Sequence, residues 1–141
     1  MEEKINNLLA SYQIHYQNLR SLHWNIKGEN FFELHLKYEE LYTRTQIIID
    51  DLAERILSLE LQPLSTFTAY LSRSEIKENQ IIKDGKLGMK YIFDAQIVLL
   101  NLEKSILNSS SDQEDEGTAA LMSDLIREKE KTNWMFKAWL N

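Results

Sequence analysis

The chain has 141 residues and a formal net charge of −6, with 16 Lys and Arg against 22 Asp and Glu, and 43% of it is hydrophobic. The absence of Cys excludes a disulfide scaffold, a thiolate metal site and a cysteine nucleophile, and an acidic chain lacks the broad attraction that drives non-specific DNA binding. Only four Gly and one Pro occur, against about ten and seven at average usage, so a turn-rich all-β fold is disfavoured and long helices are expected.

The first helix is predicted from about Glu3 to Ile26, where Ile5, Leu8, Leu9, Tyr12, Tyr16, Leu19 and Leu22 recur at three- and four-residue steps. It stops near Gly28, which suits a left-handed helix end, and Asn30 suits a cap for the next helix. The second helix is predicted from Phe31 to Leu61 without a Gly or Pro, roughly 45 Å at ~1.5 Å per residue. Pro63 closes it, and Ser65 is the expected cap of a short helix reaching about Ser72. Residues 74–86 read as polar and irregular. A third helix follows from Lys86 to Leu107, with Tyr91, Ile92, Ala95, Val98, Leu99 and Leu102 on its buried face. Asn108 to Gly117 reads as an acidic loop, and a last helix runs from Thr118 to Leu140, ending in Trp134, Met135, Phe136 and Trp139. With no repeat and no flexible linker, residues 1–141 are expected to form a single domain. Its class is all-α: a four-helix bundle with a short extra helix between helices 2 and 3.

No apolar run is long enough to span a membrane, and the N-terminal stretch lacks the basic start and apolar core of a secretory signal. A soluble, cytoplasmic protein is the expectation.

Two of the three His flank the first turn: His23 precedes Gly28 by five residues and His35 follows it by seven. An antiparallel helix pair puts them at about the same height. Glu39 lies four residues after His35, on the same helical face. Imidazole with carboxylate suits Fe, Zn or Mn; the plainer reading is a helix-end His beside a surface His–Glu pair. Asp50 and Glu54 repeat the four-residue spacing further along the helix. They read equally as a solvated face beside Asp51 and Arg55, which can pair with each other. Asp50 lies fifteen residues after His35, about 22 Å along a straight helix. If these residues form one site, it must therefore lie between two subunits packed about a two-fold axis. A di-iron site inside one bundle would need Glu-x-x-His pairs, and no Glu here has a His three residues later.

The segments His23-Trp24-Asn25-Ile26-Lys27-Gly28-Glu29-Asn30-Phe31-Phe32-Glu33-Leu34-His35, Glu39-Glu40-Leu41-Tyr42 and Asp50-Asp51-Leu52-Ala53-Glu54-Arg55 closely resemble the Dps family, the miniferritins. Pro63-Leu64-Ser65-Thr66 and Trp134-Met135-Phe136-Lys137-Ala138 extend the likeness over nearly the whole chain. The resemblance implies a ferritin-like bundle assembled into a hollow homo-dodecamer with iron sites at its two-fold interfaces. In that family one subunit supplies two His and an acid and its partner an Asp and a Glu. This maps onto His23, His35 and Glu39 from one chain and Asp50 and Glu54 from the other. The acid after the second His is usually Asp, so Glu39 is a departure that bears on the second iron.

The implied activity is oxidation of Fe(II) by hydrogen peroxide, or more slowly dioxygen, with ferric mineral stored in the cavity as protection against oxidative stress. Trp24 beside the site is a candidate redox residue, or simply a packing one. The acidic stretch Asp112, Glu114, Asp115 and Glu116, with Asp124 and Glu128 deeper, is a candidate iron entry pore. It serves equally as charge complementing the dipole of the last helix. A DNA-compacting role has little support without a basic terminal extension, and a non-catalytic helical assembly is the remaining alternative.

Overall fold

The computed structural model describes residues 1–141 as five helices and no strand. They are α1 (Glu2–Asn25), α2 (Phe31–Ser58), α3 (Phe67–Arg73), α4 (Gly85–Asp112) and α5 (Glu116–Leu140). The expected bundle with its extra short helix is what forms. Helix α1 pairs with α2 and α4 with α5, while α1 also meets α4 and the short α3. No helix is long and apolar enough to cross a membrane.

Alternation of apolar and polar residues at helical steps sorts the core into two clusters. One centres on Leu8, Leu52, Leu99 and Leu125, the other on Leu22, Tyr38, Ile92 and Phe136. Between them lies a polar layer in which His15, Thr45, Gln96 and Lys129 are all buried. Helix α1 is wrapped on most sides. Its buried Asn6, Ser11 and Asn18 therefore need partners, and they find them in the long connection between α2 and α4. Asn6 accepts from the Leu64 amide at 2.9 Å, Ser11 from the Glu75 amide at 2.9 Å, and Asn18 donates to the Lys77 carbonyl at 2.9 Å. These bonds hold the connection, irregular on both sides of α3, across the bundle.

Three helix ends differ from expectation. Helix α2 stops at Ser58 rather than Leu61, and α4 runs on to Asp112 instead of ending at Leu107. The cause is the same in both. Glu60 (φ 62) and Glu114 (φ 59) take the left-handed position usually given to Gly. The amides of Leu61 and Asp115 then reach back five residues to the carbonyls of Ile56 and Ser110, at 3.1 and 2.8 Å. The cap of α3 is Thr66, which accepts from the Ala69 amide, and not Ser65. Gly28 does take the left-handed conformation (φ 83), and so does Asn30 (φ 64), which precedes α2 without a side-chain capping bond.

Helices α2 and α5 do not pack closely, and arginines bridge the gap between them. Arg44 forms a fork on Glu128, with contacts of 2.9–3.1 Å. Arg55 donates to Asp115 at 2.8 Å and to Thr118 at 3.0 Å. Asp51 is therefore not the partner of Arg55, because the guanidinium reaches across to the start of α5 instead.

A left-handed conformation costs an L-residue about 1–2 kcal/mol, most of which Gly avoids. Glu60→Gly and Glu114→Gly are each expected to raise the unfolding free energy by up to about 1 kcal/mol, read from urea denaturation followed by circular dichroism.

Candidate metal centre

The hairpin of α1 and α2 turns so tightly that the last turn of one helix lies beside the first turns of the next. His23 and His35 meet there with rings stacked, centroids 3.7 Å apart and planes within 14°. Each ring is tied to the other residue's backbone. His23 Nδ1 is 2.6 Å from the His35 carbonyl, and His35 Nδ1 is 2.8 Å from the His23 carbonyl. A carbonyl oxygen only accepts, so each Nδ1 carries the proton and donates it. In the neutral ring this tautomer keeps the lone pair on Nε2, which is the form a metal-binding imidazole needs.

Glu39, one turn after His35, brings Oε1 to 3.8 Å from His23 Nε2 while its side chain stays about half exposed. Tyr42 stands edge-on to the His23 ring at 5.3 Å, and Phe31 stacks on the His35 ring at 5.1 Å. These two aromatics wall the pair on either side. Tyr42 lies on the same α2 stripe as His35 and Glu39, so helical spacing could have pointed to it; Phe31 lies one turn before His35.

Asp50 and Glu54 are exposed on the same helix, more than four turns further on. Asp50 borders a shallow surface depression with Gln46, Ile47, Ile49, Asp51 and Ala53. No group of three or more His, Asp or Glu within the chain could hold a metal ion. The structure thus brings together His23, His35 and Glu39 and leaves Asp50 and Glu54 apart.

Trp24 is 59% exposed, and the Arg20 guanidinium lies 4.9 Å from its ring. Among the acidic residues expected at a pore, Asp115 is engaged by the fold. It caps α5 by accepting from the Thr118 amide at 3.1 Å and hydroxyl at 2.6 Å, besides pairing with Arg55. Burial pushes its carboxyl up, but Thr118 and Arg55 outweigh this and hold it below the ordinary Asp value of 3.8. Glu128 is the carboxylate gripped by Arg44, Asp124 pairs with Arg127 at 2.9 Å, and Glu116 is exposed in the first turn of α5.

The two kinds of residue respond differently to substitution. Glu39→Ala is expected to change stability by less than about 0.5 kcal/mol, whereas His23→Ala removes a buried, bonded ring and costs roughly 1–3 kcal/mol; urea denaturation of metal-free protein separates them. Asp115→Ala is expected to cost about 1–2 kcal/mol near neutral pH through loss of the cap. Because its folded value is depressed, that contribution is complete above the ordinary Asp value and is lost as the pH falls through the folded one. Wild type and variant should accordingly converge in acid, and convergence on raising the pH instead would contradict the assignment.

The chain matches the ferritin-like domain over residues 2–141. It is 44% identical over 138 residues to an uncharacterised protein of Haemophilus influenzae, covering 98% of this chain and 86% of that one. It is 35% identical over 140 residues to DNA protection during starvation protein 2 of Bacillus anthracis, covering 99% and 95%. The crystal structure of a Dps protein from Vibrio cholerae O1, described as a member of a broad superfamily of ferritin-like diiron-carboxylate proteins, superposes with a TM-score of 0.98 at 49% identity, covering 99% of this chain and 88% of that one. Dps from Staphylococcus aureus gives 0.95 at 28% identity, covering 99% and 94%. By fold and by sequence, the chain belongs to the ferritin-like Dps family.

Proposed function

We propose that the chain is the subunit of an iron-storage ferroxidase whose oxidation site is completed across a two-fold subunit interface. The observation that carries this reading is the division of donors along α2. Two pre-oriented imidazoles and Glu39 gather at one end, Asp50 and Glu54 stand at the other, and no chain-internal group suffices for a metal. Two chains packed antiparallel along α2 set His23, His35 and Glu39 of one against the partner subunit's Asp50 and the partner subunit's Glu54. Membership of the Dps family, and the diiron-carboxylate description of the Vibrio cholerae relative, support iron as the metal.

Fe(II) is the substrate. Both rings are already tethered through Nδ1, which limits the reorganisation that binding through Nε2 requires, and the carboxylates favour the ferric product. Two Fe(II) give one electron each to hydrogen peroxide, whose O–O bond breaks. With two waters consumed, the products are two ferric oxyhydroxide units and four protons. Dioxygen serves as a slower oxidant. Storage needs an enclosed space, and we read the assembly as a homo-dodecamer. The exposed Phe32 (80%), Phe67 (79%) and Trp134 (70%) are apolar surface that such an assembly would have available to cover.

Glu116 stays free of ion pairs at the start of α5. Like the unpaired Asp112 and Glu114 it is open to an incoming cation, while Asp115, Asp124 and Glu128 are held by arginines. Trp24, next to His23 in sequence, is proposed as a redox sink for oxidant that escapes the site. The net charge of −6 gives no support to direct DNA binding.

Complementation tests the shared site. Chains carrying His23→Ala with His35→Ala, and chains carrying Asp50→Ala with Glu54→Ala, are each expected to lose peroxide-linked Fe(II) oxidation. Co-assembled in equal amounts, half of the dimers are mixed and each mixed dimer keeps one intact site of two, so about a quarter of wild-type activity should return. Mixed assemblies as inactive as their parents would refute a site shared between subunits.

A further inference from the structure

Beyond Arg44, Arg55 is the only cationic side chain on α2, and it stands among three carboxylates, Asp50, Asp51 and Glu54. All three are exposed, and none of them forms an ion pair. Asp51 lies one turn before Arg55, the spacing at which a helix pairs an acid with a following base. The structure sends the guanidinium the other way, into a seat built at the start of α5. Its Nε donates to the Thr118 hydroxyl at 3.0 Å and its Nη2 to Asp115 Oδ1 at 2.8 Å. The Thr118 hydroxyl in turn donates to Asp115 Oδ2 at 2.6 Å, which closes a ring of hydrogen bonds. Arg55 and Asp115 are largely covered there, with side chains 26% and 17% exposed.

Gly117 makes room for this seat. A Cβ there would stand 2.7 Å from both Nη1 and Nη2 of Arg55 and 2.8 Å from the carbon between them. Side chains do not approach so closely, so any residue but Gly pushes the guanidinium outward. Gly117 lies inside α5 and has no left-handed backbone to explain it, and a helix otherwise disfavours Gly. The space left by its missing side chain is filled by Arg55.

We propose that Gly117, Asp115 and Thr118 hold the Arg55 guanidinium off the metal-donor face of α2, leaving Asp50 and Glu54 as free carboxylates for Fe(II). This role rests on the interface site proposed above. Released from the seat, Arg55 has Asp51 within helical reach and brings a positive charge beside the donors. A unit charge about 7–12 Å from a divalent cation in water weakens binding roughly three- to tenfold. Gly117 and Arg55 are then positioning residues, which act on the site through charge and touch no metal.

Gly117→Leu fills the seat. Assembled wild type, G117L and the double variant G117L/R55M, all cleared of metal, are titrated with Co(II), and Co(II)-soaked crystals are read by anomalous scattering. Equilibrium affinity is the readout because it does not depend on how fast ions enter. At low ionic strength G117L is expected to bind interface cobalt roughly three- to tenfold more weakly, a difference that narrows in high salt. Crystals of G117L should show Arg55 away from Asp115, and Arg55→Met in the same background should restore the wild-type affinity. Equal binding by G117L and wild type, a weakening that R55M does not relieve, or Arg55 still on Asp115 in G117L overturns the proposal. Wild type without cobalt at the interface refutes the shared site itself, and this role for Arg55 with it. If G117L fails to assemble, Gly117→Ala must weaken binding in the same direction and be relieved by R55M; unchanged binding overturns the proposal.

Discussion

The continuity of α2 is the constraint on which the rest of the molecule depends. Twenty-eight residues without Gly or Pro form one unbroken helix, and a helix fixes the separation of everything it carries. His35 and Glu39 lie at one end, next to the turn that brings back His23; Asp50 and Glu54 lie at the other. No folding of a single chain can close that distance. The proposed division of an iron site between two subunits is thus a consequence of helix length before it is one of assembly.

The same helix needs support along its whole length, and it is supported unevenly. Against α1 it packs apolar side chains directly, as with Leu52 and Ile56 in one cluster and Leu34 and Tyr38 in the other. Across from α5 it is held at a distance by Arg44 on Glu128 and Arg55 on Asp115. That gap leaves room for a polar layer in the middle of the bundle, and the layer is where Lys129 and Glu103 neutralise each other. Carboxylates that sequence reasoning assigns to an iron path are thereby partly committed to holding helices together. The two roles compete, because an oxygen gripped by a guanidinium has less to offer a passing cation.

Much of the fold was legible because helix formation is local. The three- and four-step recurrence of apolar residues located all four long helices, and Gly28 marked the first turn. The misplaced ends of α2 and α4 have one cause: Glu60 and Glu114 occupy left-handed positions, and a Glu carries no signal for such a turn. The interior charges could have been noticed. Glu103 falls in phase with Leu99 and Ile106, and Lys129 with Met122, Leu125 and Phe136. A charge on a buried stripe announces a partner, though not which one. For the candidate site, spacing put His23 level with His35, but the exchange of hydrogen bonds between each ring and the other's backbone depends on how closely the two helices approach.

By itself the sequence determined the class of the fold, the length of α2, the hard ligand types and the impossibility of a single-chain site spanning residues 35 to 54. These follow from helical periodicity and covalent spacing, which act along the chain and can be counted there. Only the tertiary structure decided that both imidazoles present Nε2, that Arg55 turns to Asp115 rather than to Asp51, and that Lys129 fills the centre of the bundle. Those outcomes rest on contacts between residues far apart in the chain, where a few ångströms of helix approach choose among partners that the sequence offers equally.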